Sequence, residues 1–272
     1  MTPNFKFNLI STDTVVDLPF DRPPNCSYDI YCNYCDSLTT TVAETDMTRW
    51  NSDNTNNLFD SVYNYLCERG ASARHRFLLK LAEEDILNLH AIDVYMPSEH
   101  GQAIKLAENF IKLEKYVNIV TSHYTDLDVE SKNTIIKDTH QDLTALTYEN
   151  KVFDYVHCNH MLEHIYNYKQ SIAELHRVLR KGGTLIITVP ICYQRENNLE
   201  WARLDSNGNI LWNYQPAYHG GLEKYPVFWE FGLQVFYDIK EIFSTSEVAL
   251  ETYVDYSIGV FNQGVNVIRV KK

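Results

Sequence analysis

The chain has 272 residues, 44% of them apolar and 22% charged, with a formal net charge of −12. That length allows one or two domains, and the composition is globular rather than disordered. The acidic balance, with no Lys/Arg run longer than the pairs Arg180-Lys181 and Lys271-Lys272, argues against a nucleic-acid partner, because polyanions are bound largely through Lys and Arg.

No stretch reaches the roughly 18–20 apolar residues of a membrane span. The N-terminus, MTPNFKFNLISTDTVVDLP, lacks the basic head and apolar block of a secretory leader. A cytoplasmic protein with no membrane partner is expected, its six cysteines (Cys26, Cys32, Cys35, Cys67, Cys158 and Cys192) reduced.

In chain order, residues 1–54 are polar and turn-rich and read as loop. LFDSVYNYLCER (58–69) and ARHRFLLKLAEED (73–85) carry apolar residues at helical spacing. From residue 86 strands and helices alternate. LHAIDVYM is a buried strand, and EHGQAIKLAENFIKLEK a helix with Ala103, Ile104, Ala107, Phe110 and Ile111 on one side. YVNIVTS, TIIKD and FDYVHC read as strands two, three and four. YKQSIAELHRVLRKGG is a helix with a stripe of Ile172, Leu175, Val178 and Leu179, stopped by Gly182-Gly183. TLIITVP is a β-branched strand, VFYDIKEIFS a helix, and EVALETYVDY and GVNVIRVKK closing strands. Continuous apolar strands of this kind belong to parallel sheets covered by helices. The fold class is therefore α/β, a doubly wound sheet behind a small N-terminal extension. Ligands of such a sheet bind beyond the carboxyl ends of its strands.

The segment DLTALTYENKVFDYVHCNHMLEHIYNYKQSIAELHRVLRKGGTLIITVP (142–190) resembles the class I S-adenosylmethionine-dependent methyltransferases. The likeness rests on Asp-Leu-Thr after the third strand, Asn-His-x-Leu-Glu-His after the fourth, and a helix ending in Arg-Val-Leu-x-x-Gly-Gly. It extends onward to RLDSNGNILWNYQPAYHGG and GLQVFYDIKEIF, and more faintly back to the strand at 88–96. It implies a Rossmann-like seven-stranded methyltransferase domain over 76–272, behind an N-terminal extension over 1–75. The implied activity is methyl transfer from S-adenosylmethionine to a small-molecule acceptor. A non-catalytic, methyltransferase-like scaffold is the alternative.

The resemblance also implies roles. Asp142 would accept from the adenine amino group, as an ionised, acceptor-only carboxylate can, with the Leu143 backbone beside it. The plain reading of Asp142 is a turn or cap residue. Asn159 and His160 would line the methionine moiety and the methyl. The family's loop after the first strand is of the form Glu/Asp-x-Gly-x-Gly. Here it is Met96-Pro97-Ser98-Glu99-His100-Gly101, so Pro97, Glu99 and Gly101 would stand in its place. After the second strand, where an acid would hold the ribose, the chain offers His123 or Asp126.

Three further motifs bear on chemistry. His160-Met161-Leu162-Glu163-His164 fits the H-x-x-E-H zinc-peptidase string, which needs one continuous helix. The methyltransferase pattern explains the same positions. Cys32-x-x-Cys35 with Cys67 resembles a worn zinc ribbon, with Cys26 or His75 as a fourth ligand and Gly70 where a second pair would close. A structural zinc, or cysteines left from a lost site, are both open readings. His219, in Pro216-Ala217-Tyr218-His219-Gly220-Gly221, falls between the fifth strand and the last helix, the region that covers an acceptor in this family. It reads either as an acceptor-site base or as a capping residue, with Trp201, Trp212 and Trp229 nearby in sequence.

Overall fold

The computed structural model describes residues 5–9, 27–44, 63–64, 73–87, 92–123, 137–219, 225–255, 258 and 260–272. The chain forms two compact units. One comprises residues 1–89 and 251–267, the other residues 90–250 and 268–272.

The second unit is built on a mixed sheet. Its strands are β1 (Ile92–Pro97), β2 (Val117–His123), β3 (Lys137–His140), β4 (Phe153–Asn159), β5 (Leu179–Thr188), and the parts of β6 (Glu247–Asp255) and β7 (Val260–Lys271) that belong to this unit. Their order is β6-β7-β5-β4-β1-β2-β3. The pairs β2–β3, β1–β2, β1–β4 and β4–β5 are parallel, and β7 runs antiparallel to β5, with Ile268 opposite Ile187 and Lys271 opposite Thr184. This is a doubly wound, Rossmann-like order. The direction of winding reverses between β1 and β4, so the switch point lies at their carboxyl ends.

The strands are parallel because both faces are covered. In β1 all residues but Asp93 are buried, and in β4 all but Asp154. Helix α1 (His100–Lys112) lies against β1 and β2. It buries Ala103, Leu106, Ala107 and Phe110, while Ile111 is 60% exposed. The apolar stripe is thus rotated from the sequence reading by the 100° step of the helix. Helix α2 (Tyr168–Val178) packs on β5 and on α3 (Gln234–Ile242), burying Ile172, Leu175 and Val178.

The helix read as running to Gly183 stops at Val178, and Leu179 already belongs to β5. Close approach of backbone decides this. A Cβ on Gly183 would stand 2.9 Å from the carbonyl oxygens of Arg180 and Asp154, while Gly182 takes φ +82°. Arg180 then reaches back to Asp93 (2.9 Å) and Asp154 (2.7 Å), tying β5 to β1 and β4.

The first unit begins with strand Phe5–Leu9. Strands Ser27–Cys32 and Ser37–Glu44 form an antiparallel hairpin, extended by Tyr63–Asn64 opposite Glu44 and Ala43. These strands correct two expectations where they fall, the loop over 1–54 at 5–9, 27–32 and 37–44, and the helix over 58–69 at Tyr63–Asn64; apart from the turn at 33–36, the other residues of both spans lie outside the described residues. The run Thr39-Thr40-Thr41-Val42 is β-branched and suits a pleated strand, which outweighs the polarity that suggests a loop. The helix Ala73–Ile86 stands where it was read and buries Phe77, Leu78 and Leu81. Its fully buried Arg76 donates from Nε to the Ile258 carbonyl (2.8 Å), and Lys80 pairs with Asp255 (2.6 Å).

Candidate functional site

The carboxyl ends of β1, β4 and β5 converge on Asn159. Its side-chain Nδ2 donates to Glu99 Oε1, and its Oδ1 accepts from Thr188 Oγ1 at 2.6 Å. The His160 amide donates to the Thr188 carbonyl at 2.9 Å. His160 takes φ +47° and Ser98 φ +60°, a left-handed conformation uncommon for residues other than glycine. Ser98 thereby makes the tight turn after β1 without glycine, its amide donating to the Ser122 carbonyl at 2.8 Å. The turn delivers Glu99 to the N-terminus of α1, where the Ala103 amide returns to its carbonyl (2.8 Å). Pro97 ends β1, and Gly101 is exposed in the first turn of α1.

On the other side of the switch point, His123 and His140 stand opposite each other at the ends of β2 and β3, ring centroids 6.0 Å apart. Asp142 follows. Its Oδ1 accepts from the amide (2.7 Å) and the hydroxyl (2.8 Å) of Thr144, closing an Asx turn. Leu143 beside it is buried. The loop is anchored by Arg177 of α2. That guanidinium donates to the carbonyls of Leu146 (2.8 Å) and Tyr148 (2.7 Å) and pairs with Glu174 (2.7 Å). Arg177 holds the Glu174 carboxyl below the ordinary glutamate range.

The H-x-x-E-H string does not lie on one continuous helix. His160 sits in its left-handed turn, and only Leu162–His164 form a single 3-10 turn. This geometry removes the zinc-peptidase reading. Glu163 is nonetheless buried, 2% exposed. Its Oε1 lies 3.6 Å from His160 Nδ1 and 4.0 Å from His164 Nε2.

Between β5 and α3 the described residues form short antiparallel ribbons. Leu199–Glu200 pairs with Trp229–Glu230, Ala202–Leu204 with Ile210–Trp212, and Tyr218–His219 with Tyr225–Pro226. The last ribbon carries His219 to His164, Nδ1 to Nε2 at 3.2 Å and the rings edge-on at 4.8 Å. The neighbouring backbone is tied down as well, since the Phe228 amide donates to the Glu163 carbonyl (2.8 Å). His164 Nδ1 donates to the Pro226 carbonyl (2.9 Å), and burial holds this imidazole below its usual value. The three tryptophans pack in separate ring pairs: Trp201 on Tyr214, Trp212 on Tyr218, and Trp229 on Tyr168.

The sequence readings thus divide. Glu99, Asn159 and His160 are brought together, as are the backbones of β1 and β4 that present them. Asp142 and His123 lie at the neighbouring strand ends. His219 meets Glu163 and His164, two residues that sequence reasoning met only within the Asn-His-x-Leu-Glu-His and peptidase strings, without a role of their own. The available signal was an acid next to a histidine just after a strand. Cys32 and Cys35 flank a hairpin turn in which the Cys35 and Asp36 amides donate to the Cys32 carbonyl, and neither cysteine is in a disulfide. Cys26, Cys67 and Asp126 lie outside the described residues.

Residues 99–187, about a third of the chain, match the family model described as "Methyltransferase domain". Over these residues the chain is similar to that family. The match runs from Glu99, in the turn after β1, to Ile187 of β5, so it spans the strand ends and loops that hold Asp142, Asn159 and His160.

No curated protein sequence matches the chain. Among solved structures, one similar protein is the 1,6-didemethyltoxoflavin-N1-methyltransferase of Burkholderia thailandensis, solved with 1,6-didemethyltoxoflavin and S-adenosylhomocysteine. It is 11% identical, with 73% of this chain and 77% of that one covered at a TM-score of 0.44. An S-adenosylmethionine-dependent methyltransferase from Mesorhizobium loti is 8% identical, covering 73% and 97% at a TM-score of 0.45. The [4+2]-cyclase SpnF is 19% identical, covering 46% and 47% at a TM-score of 0.38. The chain spans about half the length of SpnF.

Proposed function

We propose that this chain transfers a methyl group from S-adenosylmethionine to a small-molecule acceptor. The observation that carries the reading is the hydrogen-bonded chain Glu99–Asn159–Thr188 at the switch point of the sheet. The donor set fits the cofactor. Carboxylates at Glu99 and Asp142 suit its ammonium, hydroxyl and adenine amino groups, and the tight turn at Ser98 brings backbone to the strand ends. S-adenosylmethionine, when bound, supplies a methyl group on a sulfonium for in-line displacement.

The residues of the chain bind and orient, and alignment supplies much of the rate. In this reading Pro97, Glu99, Gly101, Asn159 and His160 receive the methionine and ribose side, and His123, Asp142 and Leu143 the adenine side. His160 takes a proton where the acceptor is a hydroxyl or a protonated amine. His219 belongs to the acceptor side, under the ribbons between β5 and α3. A small acceptor fits a net charge of −12 better than a nucleic acid does. A cytoplasmic location and a division at residues 75 and 76 are parts of the same reading. Among the described residues no helix is long and apolar enough to cross a membrane. Cys32, Cys35 and Cys67 would hold at most a structural zinc.

The test is calorimetry of the full chain with S-adenosylmethionine and S-adenosylhomocysteine. Saturable one-to-one binding that weakens in Asn159→Ala is expected. Absence of binding at millimolar cofactor would instead establish the non-catalytic scaffold, the reading that Pro97 and Ser98 in place of loop glycines favours.

A further inference from the structure

We propose that Glu163, His164 and His219 form a binding site for one divalent transition-metal ion of the zinc type. The proposal does not rest on the methyl-transfer reading. One ligand atom from each of the three residues falls within 4.8 Å of the others. Two nitrogens held about 2.0–2.1 Å from one tetrahedral ion stand roughly 3.3–3.4 Å apart, and His164 Nε2 and His219 Nδ1 are 3.2 Å apart. A mixed set of imidazoles and a carboxylate suits zinc.

The tautomer of His164 is set for ligation. A carbonyl oxygen can only accept, so the contact with Pro226 puts the proton on Nδ1 and leaves the Nε2 lone pair directed toward His219. A metal-bound histidine commonly donates its other N–H to a backbone carbonyl in this way. The backbone that presents the carboxylate is held in place, because the Glu163 carbonyl accepts from the Phe228 amide. Glu163 Oε1 lies 4.0 Å from His164 Nε2, so small side-chain rotations would bring all three atoms to bonding distance. The three ligands come from two separate segments, the turn after β4 and the ribbon strand Tyr218–His219, and the ion would clamp one to the other. Three protein ligands leave a coordination position open, as in sites that bind a small oxygen or nitrogen ligand.

The competing explanation is a hydrogen bond in which His219 Nδ1 donates to His164 Nε2 with no metal. Zinc titrated into the chelator-treated full chain separates the two. One equivalent is expected to bind and to be weakened more than about a hundredfold in His219→Gln and in Glu163→Gln, beyond the roughly 10–100-fold loss typical of an outer-shell partner. A Cys32→Ser/Cys35→Ser variant is expected to keep that equivalent, which separates it from any zinc on the cysteines. Should a variant fail to fold, cobalt substitution of the wild type decides. The expected spectrum has no thiolate charge-transfer band, and bound metal protects His164 and His219 from diethyl pyrocarbonate. Unchanged affinity in folded His219→Gln, or no protection of these histidines, would overturn the site. Cofactor calorimetry on the same samples reads the methyl-transfer proposal separately.

Discussion

Asn159 satisfies both ends of its amide at the place where three strand ends meet, which is why a single side chain can order the loop after β1 and the turn after β4 together. Asp142 combines a structural contact with a proposed binding role, and the two can be separated. Its Oδ1 closes the Asx turn onto Thr144, a function the asparagine amide oxygen can also perform. Asp142→Asn is therefore expected to leave the melting temperature nearly unchanged while weakening S-adenosylmethionine binding about tenfold, the difference between a charge-assisted and a neutral hydrogen bond. Calorimetry with a parallel thermal melt checks both halves. Equal affinity for both proteins would leave Asp142 as a turn residue only.

At the scale of elements, α2 and the loop after β3 are coupled through the Arg177–Glu174 pair. Because the folded carboxyl of Glu174 lies below its unfolded value, its contribution is full above the ordinary glutamate range and is lost as pH falls through the depressed folded value. Glu174→Gln should accordingly flatten the acid limb of the stability curve, measured by urea unfolding across that range. The partial exposure of the pair, 13% for Glu174 and 29% for Arg177, keeps the effect to about 1 kcal/mol.

Gly232 joins the ribbons to α3. A Cβ there would meet the carbonyl oxygens of Asn197 at 2.5 Å and Arg195 at 2.6 Å. Gly232→Ala is expected to cost about 1–3 kcal/mol in chemical denaturation. The ribbons themselves were hidden from the sequence because each spans only two or three residues per strand, too short for a period of two to show. Helix α2 was legible by contrast, since its stripe recurs over three turns, but its end was not, because crowding around Gly183 decided it.

For the whole molecule, the net charge of −12 predicts no measurable affinity for duplex DNA or RNA at physiological salt. Fluorescence anisotropy with labelled duplexes checks this, and binding with a steep salt dependence would contradict it. The sequence alone determined the alternation of strands and helices, the burial of β1, β4 and β5, and the placing of Asn159 and His160 at the end of a strand and Asp142 just after one. These follow from local periodicity, which is written within each short window of the chain. Only the tertiary structure decided that Glu99 meets Asn159 across sixty residues, and that His219 meets His164 across fifty-five. Such pairings are set by strand order and by where a ribbon folds back, and neither leaves a pattern within the window of a helix or a strand.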